Sequence, residues 1–167
     1  AISESDLELF FLGSGNGSNV LAHLGLASHT ESCSTVGLES LAAPFSASLP
    51  SHIAPRDVMA VEVRDRSGNV LAHLDRSPNV PQVEFTAPRP SELIPATLTL
   101  EWTAVDADGD SLRQYLRYSP DGSRLMPLGM DIQGTSFTVD MKNLPRLQTG
   151  KGFFELVVSD GLNTTTT

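Results

Sequence analysis

Apolar and polar residues alternate one by one through most of this 167-residue chain. Successive side chains of a β-strand point to opposite faces, so this alternation is typical of strands with one buried face. The spacing of three and four positions that marks an amphipathic helix is almost absent. Thirteen glycines and eleven prolines supply residues for many turns. The pattern predicts an all-β protein.

Two prolines, Pro78 and Pro81, interrupt the alternation near the middle of the chain. Proline fixes the backbone and cannot donate to a strand ladder. We therefore place a boundary within residues 75–83 and predict two tandem β-sandwich domains, 1–80 and 82–167. The second domain gives about seven short strands at spacings of ~8–12 residues, which favours a sandwich. The first is expected to be a similar sandwich, whole or incomplete.

Within the second domain, the alternation also predicts which side chains face the core. These are Leu98, Leu100, Trp102, Leu116, Tyr118, Phe137, Val139, Phe154, Leu156 and Val158.

The first domain contains a hexamer, Asn-Val-Leu-Ala-His-Leu, that occurs at residues 19–24 and again at 69–74. Each copy follows a turn rich in Gly and Ser after an apolar strand. Duplication of a hairpin and chance similarity of two return strands both explain the hexamer. Because a third copy is missing, the sequence favours chance similarity.

The formal net charge of −9 excludes nucleic acid and anionic membranes as expected partners, because both require Lys and Arg. No apolar run approaches the ~18 residues of a membrane span. Cys33 is the only cysteine, so no internal disulfide can form. The chain starts without the pattern of a signal peptide and stops at Thr167 just as a strand begins. We expect a fragment of a larger protein, with its last strand truncated.

Three carboxylates, Asp106, Asp108 and Asp110, lie within five residues between two strand-like runs. Such closely spaced hard oxygen ligands suit Ca²⁺, and Asp160, after a later strand, could join them. An EF-hand is excluded because Gly109 comes one place early and Arg117 stands where the twelfth-position Glu belongs. The other interpretation, which the sequence favours, is a solvated Asp-Gly turn without metal.

No catalytic motif accompanies the four histidines (His23, His29, His52 and His73) or Cys33, so we expect no enzymatic activity. The glycine-rich residues 13–17 lack a following Lys-Ser/Thr and a helix, which predicts a hairpin loop rather than a phosphate site. Asn16 and Asn163 match the glycosylation sequon, whose use requires a eukaryotic secretory route.

Residues 100–112, 115–122 and 157–161 together resemble bacterial fibronectin type III-like and cadherin-like immunoglobulin-fold modules. Residues 45–50 and 61–72 are similar to the domain that often precedes such a module. These modules are appended to secreted or surface proteins, including extracellular peptidases. This chain departs from the family at Gly152, Phe153 and Phe154, where the penultimate strand often carries a tyrosine.

The resemblance implies a non-catalytic module, outside the cell or on its surface, that spaces or docks a neighbouring catalytic or adhesive domain. Its partners would be the other domains of the parent protein. The alternative is an adhesion module that binds a polysaccharide or a protein. Sugar recognition needs an exposed aromatic platform, and the single Trp102 is predicted to be buried, which makes this alternative weaker.

Overall fold

The computed structural model describes residues 7–15, 19–26, 48–89, 95–146 and 152–167. Apart from two short 3₁₀ turns, all regular structure in these residues is β-strand, which confirms the all-β class. The chain divides into two compact units, Ala1–Arg76 and Ser77–Thr167. The division falls within residues 75–83, the proline-containing segment where the sequence predicts a boundary.

Unit 1 contains one antiparallel sheet in the described residues, with the strand order β2-β1-β3-β4. Its strands are β1 (Leu7–Leu12), β2 (Val20–Gly25), β3 (Ala60–Asp65) and β4 (Val70–Asp75). Ser48 and Leu49, at the start of the described residues that lead to β3, are not in a strand. A 3₁₀ turn, Pro55–Asp57, precedes β3.

The core of unit 1 lies on one face of this sheet. Leu9 and Phe11 are buried there with Val58, whereas Phe10 points to the other face. Partly buried side chains from β2, β3 and the segment before the 3₁₀ turn pack against the three buried residues. Alternation along β1 thus separates an apolar inner face from an outer face that carries polar groups.

The two copies of the repeated hexamer form the two edge strands, β2 and β4. Each pairs with its preceding strand in an equivalent register, and each carries a bulge at the same place, between Val20 and Ala22 and between Val70 and Ala72. The central pairing of β1 with β3 sets Phe10 opposite Glu62, which are equivalent positions of the two hairpins. Duplication of one hairpin would produce this approximate two-fold arrangement, which chance similarity of two strands does not require.

Unit 2 consists of two antiparallel sheets, with the strand orders β5-β6-β9 and β8-β7-β10-β11. Its strands are β5 (Gln82–Ala87), β6 (Thr97–Val105), β7 (Arg113–Ser119), β8 (Met126–Gly129), β9 (Ser136–Asp140), β10 (Phe153–Ser159) and β11 (Thr164–Thr166). Three connections, β6 to β7, β8 to β9 and β9 to β10, pass from one sheet to the other. The seven strands that the sequence predicts for this domain are present, and the last of them is β11.

One buried cluster receives side chains from both sheets of unit 2, so the two sheets enclose a common core. The buried residues are Leu98, Leu100, Trp102 and Val139 from the three-stranded sheet and Leu116, Leu156 and Val158 from the other. Phe137 and Phe154 pack against this cluster, and Tyr118 is buried as well. The predicted set of inward-facing residues is confirmed.

The indole N–H of Trp102 and the hydroxyl of Tyr118 both donate hydrogen bonds within this core. The Trp102 Nε1 donates to Gln114 Oε1 at 2.6 Å, and this bond joins β6 of one sheet to β7 of the other. The Tyr118 hydroxyl donates to the Pro145 carbonyl at 3.0 Å, in the connection from β9 to β10. A buried indole or phenol without a partner would be costly, so these bonds fix the orientation of both rings.

Replacing Trp102 with alanine should destabilise unit 2 by about 3–5 kcal/mol, because the cavity would lie between the two sheets. Chemical denaturation followed by far-ultraviolet circular dichroism measures this loss. As a control, Thr138→Ala on the exposed face of β9 loses only a hydrogen bond with Thr99 and should cost no more than about 1 kcal/mol. Equal stability of the Trp102 variant and the native chain would contradict the assigned core.

Candidate functional site

The acidic loop, residues 106–112, connects β6 to β7 at one end of unit 2. Asp106 Oδ1 accepts hydrogen bonds from the backbone N–H groups of Asp108 at 2.8 Å and Asp110 at 3.3 Å. Gly109 has a φ of +80°, a left-handed conformation that glycine adopts without strain. The loop is therefore a tight turn that the side chain of its first residue organises.

This turn brings three carboxylates together. One oxygen from each of Asp106, Asp110 and Asp160 lies within 4.8 Å of the other two. Among the described residues, this is the only group of three or more His, Cys, Asp or Glu side chains with that proximity. Asp106 Oδ2 is buried and has no hydrogen-bond partner. A buried carboxylate oxygen without a donor is unfavourable, and a cation would satisfy it.

Asp108 lies outside this group of three, although the calcium interpretation of the sequence includes it as a ligand. Its carboxylate accepts hydrogen bonds from the backbone N–H of Asn79 at 2.9 Å and from its Nδ2 at 2.7 Å. Asp110 also contacts the start of unit 2, because the Ser77 hydroxyl donates to its Oδ2. The loop thus combines a carboxylate cluster with an anchor for residues 77–79.

Asn163 completes this anchor. Its side chain is 5% exposed, and its Nδ2 lies within hydrogen-bonding distance of the carbonyl oxygens of Ser77 and Asn79, at 3.1 Å each, and of Asp160 Oδ2 at 2.9 Å. The Thr165 hydroxyl donates to the Pro81 carbonyl at 2.6 Å. We call the side chains of Asp108, Asp110, Asn163 and Thr165 the entry clamp, since they hold residues 77–81.

Sequence reasoning missed the entry clamp and singled out Asn163 only as a sequon. The hydrogen bonds of Asn163 to Ser77 and Asn79 span 86 and 84 positions, and no local pattern encodes such pairing. Because the Asn163 amide is buried and donates within unit 2, a glycan on its nitrogen is incompatible with this packing. Asn16, the other sequon residue, lies outside the described residues.

Of the residues that were considered for catalysis, the structure describes His23, His52 and His73, and these three do not form a cluster. His23 and His73 lie on β2 and β4 of unit 1, and His52 is exposed in the segment before β3. His29 and Cys33 lie outside the described residues. His23 stacks on Phe10, with ring centroids 5.5 Å apart.

Comparisons with protein-family models, with curated proteins and with solved structures find no match to this chain. The described part of the chain contains no helix that is both long and apolar enough to cross a bilayer.

The entry clamp predicts an unequal effect of two asparagine substitutions. Asn163→Ala should destabilise unit 2 by about 1–3 kcal/mol, because it removes a buried donor from three acceptors. Asn143→Ala removes one exposed contact with Asp140 and should cost no more than about 0.5 kcal/mol. Urea midpoints of the two variants measure the difference. Equal midpoints would show that the clamp contributes nothing to stability.

Proposed function

We propose that unit 2 is an immunoglobulin-fold module of the fibronectin type III-like kind, serving as a non-catalytic accessory domain of a larger secreted or surface protein. Its role is to space or dock a neighbouring domain. The observation that carries this proposal is the order of its seven strands. If β5 to β11 are lettered in sequence from A to G, six strands occupy the positions of a constant-type immunoglobulin domain. β8 departs from that order, because it pairs with β7 rather than with β9.

Two physical properties of unit 2 suit a spacer. The two sheets share one close-packed apolar core, which resists bending because packed interiors have low compressibility. The entry clamp holds residues 77–81, so the chain enters the module at a fixed place. With these two properties a module can hold a neighbouring domain at a set distance, a role that requires no reactive site.

The spacer role can be tested by exchanging unit 2 within a larger protein. The proposal requires that such a larger protein exists. Residues 77–167 would be replaced by an unrelated β-sandwich or by a flexible Gly/Ser linker of the same number of residues. The unrelated sandwich should preserve the activity or attachment of the neighbouring domain, and the flexible linker should not. Failure of both replacements would instead show that unit 2 makes contacts of its own.

A polysaccharide- or protein-binding module is the second candidate, and one observation favours it. A cleft of about 280 Å³ opens on the outer face of β7, β8 and β10. Tyr115, Arg117, Pro127, Met130 and Val157 contribute to its lining. Aromatic residues, Met and Arg are enriched where proteins bind partners. Trp102 takes no part, because it is only 2% exposed.

Affinity electrophoresis through gels that contain soluble polysaccharides separates the spacer from a polysaccharide-binding module. The spacer proposal expects the native chain and Tyr115→Ala to migrate alike in every gel. Retardation of the native chain that Tyr115→Ala abolishes would favour the binding module.

We also propose that the cluster of three carboxylates in unit 2 binds Ca²⁺, with Asp106, Asp110 and Asp160 as the protein ligands. The support is the buried, unpartnered Asp106 Oδ2 beside two further carboxylate oxygens. Like charges at this distance repel one another, and a divalent cation would remove the repulsion. Asp108 would act indirectly, through its bonds with Asn79.

Thermal melting with about 5 mM Ca²⁺ and with chelator tests this site, because extracellular modules bind Ca²⁺ at ~10⁻⁴–10⁻³ M. Binding to the native state alone should stabilise unit 2 by about 1–2 kcal/mol at that concentration. Asp106→Asn should abolish the shift and raise the melting temperature in chelator, because it removes one repelling charge. Asp57→Asn, on the 3₁₀ turn of unit 1, is the matched control and should keep the shift. Identical melting of the native chain in both conditions would leave the cluster as a turn without metal.

A further inference from the structure

A group of four charged side chains lies on the outer face of unit 1, around His73 of the edge strand β4. The Nδ1 of His73 is 3.0 Å from Glu62 Oε1 on β3, and its Nε2 is 2.9 Å from Asp75 Oδ1 on β4. Arg64 Nε donates to the other oxygen of Glu62 at 2.7 Å. The imidazole therefore bridges a carboxylate of the neighbouring strand and one of its own strand.

This geometry defines the protonation state in which both contacts are favourable. A neutral imidazole has one N–H donor and one lone pair, whereas the imidazolium has two donors. Since an ionised carboxylate only accepts, both contacts are hydrogen bonds only when His73 carries its second proton. After loss of that proton, one carboxylate faces a lone pair, and the group of Glu62, Arg64, His73 and Asp75 acquires a net negative charge.

We propose that protonated His73 fastens the edge strand β4 to β3, and that loss of this proton loosens β4. The group is a pH-responsive device built into the sheet, separate from the function proposed for unit 2.

The setting of β4 makes it the part of the sheet that such a device can affect. All six of its residues are exposed, and within the described residues its one neighbouring strand is β3. β3 lies between β1 and β4 and keeps its pairing with β1 when β4 opens. The end of β4 has a separate attachment, since Arg76 Nε donates to the Val58 carbonyl at 2.6 Å. Opening should therefore be confined to the strand itself.

The other charged and aromatic groups on this face lie on β1, β2 and β3. Arg64 lies over the Phe10 ring of β1, with its guanidinium carbon 4.6 Å from the ring centroid. Glu8 of β1 stands opposite Arg64 in the ladder between β1 and β3. The His23 ring of β2 stacks on the Phe10 ring. In the described part of the chain, none of these groups contacts the His73 nitrogens, whose partners are Glu62 and Asp75.

The direction of the pH effect follows from the hydrogen bonds. Those to Asp75 and Glu62 raise the pKa of His73 above its ordinary value of 6.5. Burial would raise the pKa of Glu62, but its bonds with Arg64 and His73 outweigh burial and lower it. The His73 contribution is therefore fully present below about pH 6.5 and is lost as the pH rises through the raised pKa.

The repeated hexamer supplies an internal control. His23 holds in β2 the position that His73 holds in β4, with the same flanking residues and the same bulge. Its cross-strand partner is Phe10 where His73 has Glu62, and Gly25 stands where β4 has Asp75. His23→Gln and His73→Gln therefore make the same chemical change at two equivalent places, of which only one has carboxylate partners among the described residues.

Amide hydrogen exchange of the 167-residue chain, resolved by residue and corrected for the intrinsic effect of pH, tests the device. In the native chain, protection of the β4 amides that bond to β3 should fall about two- to fivefold as the pH rises through the titration of His73, the range expected for partly exposed ion pairs. Amides whose hydrogen bonds join β1 to β3 should keep their protection. His73→Gln should show the lower β4 protection at every pH, and His23→Gln should behave like the native chain.

Asp75→Asn keeps the histidine and removes one carboxylate, so it should lower the pKa of His73 and shift the pH at which β4 loses protection. β4 protection that does not change with pH in the native chain would overturn the proposal. The same would follow if His23→Gln removed the pH dependence as completely as His73→Gln.

Discussion

The buried hydrogen bond from Trp102 to Gln114 is the contact on which the arrangement of unit 2 depends most. It crosses between the two sheets at 2.6 Å, and Gln114 Nε2 in turn donates to the Gly134 carbonyl at 2.9 Å. The indole also packs edge-on against Phe85, with ring centroids 6.3 Å apart. One side chain from each sheet thereby fixes how β6, β7 and the approach to β9 lie relative to one another.

The position of the acidic loop follows from this contact. The loop leaves β6 a few residues after Trp102 and joins β7 next to Gln114, so both of its ends are held. Its carboxylates have two distinct uses. Asp108 and Asp110 bond to Asn79 and Ser77, whereas Asp106 leaves one oxygen unpartnered beside Asp110 and Asp160. A cation bound by Asp106, Asp110 and Asp160 would also hold the bonds to residues 77–79 in place, because Asp110 takes part in both.

The sequence predicts features that arise from local periodicity. Strict alternation from Leu98 to Trp102 places three large side chains on one face, and the structure buries all three. Proline at 78 and 81 marks the division of the chain because proline cannot continue a ladder. Asn163 lacked any such signal, since its carbonyl acceptors at Ser77 and Asn79 lie more than 80 residues away. The different surroundings of His23 and His73 were equally hidden, because identical hexamers face Phe10 in one hairpin and Glu62 in the other.

A double-mutant cycle between Trp102→Phe and Gln114→Leu tests most directly whether the two sheets are joined as described. Each single change leaves a buried polar group without its partner, whereas the double change removes both partners, so its cost should be smaller than the sum of the single costs. We expect a coupling energy of about 0.5–3 kcal/mol from denaturant unfolding, and additive effects for Trp102→Phe with Thr138→Ala. Additivity of the Trp102 and Gln114 substitutions would contradict the bond between the sheets and the core arrangement built on it.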